Sequence, residues 1–133
     1  MTNTLATRIV LPDVPPPGGP YSHGIAVSGA GTWLHIAGQV GMAVDGSVSS
    51  DFEAQAQLAW THLVAVLRAA DMDVSHLVKV TTFLTDGSDV RRLGSVRAMF
   101  LGEARPASTL LVVRALAHPA WRVEVEASAF RPG

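Results

Sequence analysis

Between residues 52 and 70, apolar side chains fall at Phe52, Ala56, Ala59, Leu63, Val66 and Ala70, with spacings of 4, 3, 4, 3 and 4. That rhythm marks one face of an α-helix. Ser50-x-x-Glu53 has the form of a capping box at its start, and Asp71 stands near its end. A helix with such a stripe must bury it, and the flanking sequence supplies strands to bury it on.

Before the helix, "IAVSG" (25–29) and "TWLHIAG" (32–38) flank the small-residue pair Ala30-Gly31, which predicts a hairpin. Asp45-Gly46 in "MAVDGSV" predicts a second turn. After the helix, "HLVKVTTFLTD" (76–86) is β-branched and aromatic and reads as a strand. "DGSD" follows as a turn with capping residues. Val90, Leu93, Val96 and Phe100 then outline a shorter amphipathic helix ending near Gly102. "STLLVVRAL" (108–116) reads as a strand. In "WRVEVEASAF" (121–130), Trp121, Val123, Val125 and Ala127 alternate with Arg122, Glu124, Glu126 and Ser128. The predicted order is β-β-(β)-α-β-α-β-β, an α/β (α+β) chain with one sheet.

Two helices cover only one face of so wide a sheet. Yet Leu110, Leu111, Val112 and Val113 are apolar on both faces of their strand, and Val78, Val80 and Leu84 alternate with Leu77 and Phe83. The chain is 48% hydrophobic and 16% charged, with more apolar surface to hide than an average domain. Monomers seldom leave a large apolar patch bare. At about 25 cal/mol per Å², covering several hundred Å² favours association by many kcal/mol before entropy costs. The second face is therefore expected to be buried between subunits.

With 133 residues, one domain over 1–133 is the simplest organisation. Net charge is −1, and the tightest basic group is Arg91, Arg92 and Arg97, so no nucleic-acid stripe and no membrane patch is expected. The absence of cysteine removes disulfides and thiolate chemistry. "MTNTLATRIVLP" has no long apolar core and no window reaches about 18 apolar residues, so neither a signal peptide nor a spanning helix is expected, and the cytoplasm is the simplest location. His23, His35, His62, His76 and His118 show no close ligand spacing, so no metal is expected. Ser22 and His23 are neighbours that point apart if extended and cannot pair as nucleophile and base. "PDVPPPGGP" (12–20) can hold neither a ladder nor a helix. It reads as a rigid loop that places the "YSHG" after it.

Six stretches in order, "GPYSHG", "IAGQVG", "AQAQLAWTHLVAVLRAA", "LVKVTTFLTD", "RPAST" and "VEVEASA", resemble the RidA/YjgF family over roughly residues 19–130. The resemblance implies a chorismate-mutase-like homotrimer, with small clefts between subunits. It also implies hydrolysis of 2-imino acids or their enamine tautomers to 2-keto acids and ammonia, a small-molecule substrate and no cofactor. In that chemistry an arginine grips the substrate carboxylate through a two-point fork and a glutamate orients or deprotonates water. By the same resemblance the cleft tyrosine is Tyr21, the backbone of the glycine-containing strand is Ala37-Gly38, and the water-ordering acid is Glu124.

The arginine is the departure. Deaminating members read Pro-Ala-Arg-Ser where this chain has Pro106-Ala107-Ser108-Thr109, so Ser108 occupies the anchor position, with Leu110 next on its face. The family's helix asparagine maps to Gly94 and its helix tyrosine to Arg97. Two residues are candidates to restore the charge. Arg97 is one helical turn from Gly94, and Arg105 lies three residues, about 10 Å of extended chain, before Ser108. Arg114 is six residues along, about 20 Å, and too distant. The alternatives are a cofactor-independent hydrolase or tautomerase of imine or enamine intermediates, a trimer that binds a small metabolite without turnover, and a roomier pocket for a larger substrate.

Overall fold

The structure is a computed structural model and describes residues 6–133. Among these, the elements are β1 Ala6–Ile9, β2 Gly24–Val27, β3 Gly31–Val40, α1 Phe52–Ala69, β4 Leu77–Leu84, α2 Val90–Leu101, β5 Ala107–Val112 and β6 Val123–Pro132. The main sheet has the order β3-β6-β4-β5. β4 and β5 are parallel and joined through α2, while β6 runs antiparallel between β3 and β4. Both helices share one core with the sheet, made by Phe52, Trp60, Leu63 and Leu67 of α1, Leu93 and Val96 of α2, and Val80, Leu84, Val123 and Val125 beneath them. The α+β layout is the expected one.

Several local expectations change. β2 does not form a hairpin with β3. It pairs antiparallel with β1, a strand the sequence reading missed, in a separate ribbon. β3 instead lies tight against β6, where a side chain at Gly31 would come within 2.3 Å of the Phe130 ring. The cap of α1 is Asp51, whose carboxylate accepts from Ala54 N at 2.9 Å, and not the Ser50–Glu53 box. The buried stripe of α1 drifts with the 3.6-residue period onto Trp60 and Leu67, leaving Val66 and Ala70 half-buried. In α2, Arg97 is buried while Val90 is exposed. Gly102, at φ 55°, ends that helix in a conformation costly for other residues.

The strand expected over 108–116 ends at Val112. A register shift between Leu77 and Lys79 turns Leu77 into the core beside Val80 and Leu84, so Leu77 does not face the open side. The centre of the open face is polar, with His35, Lys79, Thr81, Glu126 and Ser128 around a shallow hollow of about 240 Å³. Its apolar exposure is concentrated toward the edge strands, where Trp33 is 47% and Leu111 44% exposed.

Candidate functional site

The loop that carries Tyr21 is fastened to the start of β5. Ser22 N donates to Pro106 O at 3.0 Å, and Ser22 Oγ donates to Arg105 O at 2.5 Å while accepting from Arg8 Nε at 2.9 Å. Ser22 is almost fully buried. Proline and glycine on either side leave this loop no ladder of its own, so these bonds fix where Tyr21 stands. The result is a cavity of about 410 Å³ between the loop, α2 and β5, in which Tyr21, Gly94, Arg97, Ser108 and Leu110 meet. These are five of the residues expected from the sequence.

Arg97 dominates the electrostatics of this cavity. Its residue is 8% exposed, its Nη2 donates to Ser108 Oγ at 3.1 Å, and its Nε has no partner. The ion pairs among the described residues are His76–Asp73, Arg92–Asp89 and Arg122–Asp89, so no carboxylate neutralises it. Burial lowers its pKa from the ordinary arginine value, and the Tyr21 phenol acts in the opposite direction. A guanidinium nevertheless keeps its proton in proteins. A buried charge with spare donors and no counter-ion is costly unless something pairs with it.

Ser108 stands in register with Val80 of the core, which puts it on the helix side of the sheet. Glu124 alternates with the buried Val123 and Val125 and lies on the other side. There its carboxylate lies over Gly38, where a Cβ would come within 2.0 Å of Glu124 Oε2. The register of β3 against β6 breaks between Ile36 and Gln39, so Ala37 and Gly38 form a bulge beside this acid. Ala37, Gly38 and Glu124 therefore make a second group, toward the β3 edge and on the opposite face from the Arg97 cavity. Within one chain the two groups do not meet.

Arg105 belongs to neither. Its Nη1 donates to Gly102 O and Ala104 O, both at 2.8 Å, so it satisfies carbonyls at the end of α2 and does not enter the cavity. Pro106 keeps the chain extended there, and the loop does not fold back. His23 contacts Pro15 O at 2.7 Å and forms no pair with Ser22. Sequence reasoning missed Val90 and Leu93, which wall the cavity, because their helical spacing assigned both to the core. It also missed the Arg8–Ser22 strut, for which no local pattern exists. Among the described residues no three metal-ligating side chains converge, and no helix is long and apolar enough to cross a membrane.

The family model described as Endoribonuclease L-PSP matches residues 12–131. Protein DfrA of Myxococcus xanthus is 37% identical over 113 residues, covering 84% of this chain and 85% of that protein. A 2-iminobutanoate/2-iminopropanoate deaminase of Dermatophagoides farinae is 33% identical over 120 residues, covering 89% of this chain and 91% of the relative. Among solved structures, a protein of the conserved Rid family from Yersinia pestis, YyfB, superposes with a TM-score of 0.83 at 27% identity, covering 94% of this chain and 98% of that one. With the sequence motifs, the helix-covered sheet and these likenesses in agreement, the chain is a member of the RidA/YjgF family.

Proposed function

We propose that the protein hydrolyses reactive 2-imino acids, or their enamine tautomers, to 2-keto acids and ammonia, in clefts that neighbouring copies of the chain build together. The observation that carries this reading is the buried guanidinium of Arg97, unpaired with any acid and bonded to Ser108. Ser108 is the position where the family's deaminating members carry their strand arginine. Here the positive charge reaches the same spot from α2. The names of relatives such as the Dermatophagoides farinae and Bos taurus 2-iminobutanoate/2-iminopropanoate deaminases support the reaction class.

In this mechanism Arg97 holds the substrate carboxylate and Ser108 orients the fork. Glu124 of a neighbouring copy takes a proton from water, whose oxygen adds to the imine carbon. The same proton then passes to nitrogen to give a carbinolamine, and the hydroxyl proton follows it to nitrogen through Glu124 as the C–N bond breaks, so that the carbonyl closes as ammonia leaves. Overall, R–C(=NH)–COO⁻ and H2O give R–CO–COO⁻ and NH3. The need for two copies follows from placement. Arg97 and Glu124 lie on opposite faces of one sheet, so a small substrate can touch both only where a second chain presents its β3 edge to the first chain's β5 edge. A head-to-tail ring of such contacts makes one cleft per chain, in keeping with the trimer that the resemblance implies.

The test is acceleration of ammonia release from 2-iminobutanoate generated in situ, with wild type, Arg97→Met and Glu124→Gln. Both variants are expected to lose activity alone. Mixed and allowed to exchange subunits, they are expected to regain part of it, because some clefts then receive an intact Arg97 and an intact Glu124 from different chains. No acceleration by wild type sinks the enzyme in favour of a metabolite-binding trimer, and no recovery on mixing sinks the shared cleft.

A further inference from the structure

We infer that Gly94 is a specificity-determining position, which opens the cleft to 2-imino acids carrying a bulky apolar side chain; this inference rests on the deaminase reading above. Glycine is the least favourable residue in a helix interior after proline, and Gly94 lies in the middle of α2. Two ordinary reasons for a glycine are absent here. Its φ is not among the positive values, which occur at Gly29, Gly46 and Gly102. Nor does a neighbour press on it: a Cβ at Gly94 would meet nothing within 4 Å, whereas at Gly41 it would strike the backbone of Gln55 at 2.4 Å. What remains is the space itself, and that space belongs to the 410 Å³ cavity.

Beside Arg97, Ser108 and Tyr21, the walls of that cavity include apolar side chains. Val90 and Leu93 on α2, Leu110 on β5 and Pro20 on the loop line the same cavity as Gly94, and Val90 is 39% exposed although apolar. Arg97 lies one turn along the same helix face, about 5–6 Å away between Cβ positions. A carboxylate held by Arg97 therefore directs the substituent on the neighbouring carbon toward the gap over Gly94. A methyl group leaves that gap empty, whereas a branched four-carbon chain or an aryl ring fills it and removes apolar surface from water.

The experiment compares kcat/KM for imino acids made in situ from alanine, leucine and phenylalanine, in wild type, Gly94→Ala and Gly94→Leu. Wild type is expected to favour the bulky substrates over the small one by at least about tenfold, the scale on which a filled apolar pocket discriminates. Gly94→Leu is expected to lower that bulky-to-small ratio by about tenfold or more. Gly94→Ala is expected to raise the melting temperature, as a helix-interior glycine without a packing role should. A flat wild-type preference overturns the inference, as does a ratio unchanged in Gly94→Leu. A change of oligomeric mass in Gly94→Leu also overturns it, since Gly94 would then serve a contact between copies. Binding of 4-methyl-2-oxopentanoate and pyruvate, read by calorimetry, separates the two levels. A preference for the branched keto acid without any turnover would sink the enzyme and keep the pocket.

Discussion

Arg122 and Arg97 each bring a guanidinium under the helix layer, and the fold surrounds them differently. Arg122 Nη2 lies 2.9 and 2.8 Å from the two carboxylate oxygens of Asp89, its Nη1 donates to Ser50 O at 3.1 Å, and its charge sits 5.5 Å from the centre of the Phe52 ring. Asp89 is buried, with its side chain 2% exposed, so this pair ties the start of α2 to the start of β6 and the foot of α1. Arg97 has one hydroxyl partner, an idle Nε and an open cavity before it. The difference separates a half-buried, paired guanidinium from a buried, unpaired one. One has its counter-charge in the chain and holds the fold, and the other has no counter-charge among the described residues and faces an open cavity.

The comparison can be broken by stability and by activity in opposite directions. The largest effect expected on stability is from Asp89→Ala. It strands Arg122 and is expected to cost about 3 kcal/mol, the scale for opening a buried pair, measured by urea unfolding at fixed protein concentration. Arg97→Met should do the reverse. It strands no acid, so stability should hold or rise, while kcat/KM on 2-iminobutanoate falls about 100-fold, or about 2.7 kcal/mol of charge-assisted contact. A loss of stability in Arg97→Met comparable to that in Asp89→Ala would erase the distinction.

A sharper version moves the charge. The double variant Arg97→Ser, Ser108→Arg returns the guanidinium to the strand, and it is expected to recover about tenfold over Arg97→Met because the fork reaches the same spot from the other side. Activity no better than that of Arg97→Met would mean that α2 supplies something besides charge. The smallest effect concerns acid. Asp86 accepts from Ser88 N and Oγ at 2.9 and 2.8 Å just ahead of Asp89, and these bonds hold its carboxyl below the ordinary carboxylate pKa. A depressed folded pKa gives stability that is full above the unfolded value of about 4 and lost as pH falls through the folded one. The melting temperatures of wild type and Asp86→Asn should thus differ at neutral pH and converge below that window.

The helices and the shared sheet were legible because their signals are periodic and local. Phe52, Ala56, Ala59 and Leu63 announce α1 in any context, and the alternation through Val123 and Val125 announces β6. Pairing was not legible. Nothing in "IAVSG" says that it will choose residues 6–9 over the strand next to it, since that choice depends on where β6 lies. The site divided in the same way. Tyr21, Ser108 and Glu124 could be placed by motif, but the reach of Arg97 into the vacancy left at Ser108 depends on the angle between α2 and β5, which no spacing encodes. Arg105, close in sequence, was equally eligible on paper and is occupied by carbonyls.

The two groups at opposite edges of one sheet also bear on inheritance. Under the proposed ring each polypeptide serves two catalytic centres, lending its guanidinium to one and its acid to the next. A chain damaged at both positions would silence two centres wherever it is incorporated, while a chain damaged at one silences a single centre. Only a chain carrying both lesions should therefore silence more than its own share of centres in a cell that makes both versions.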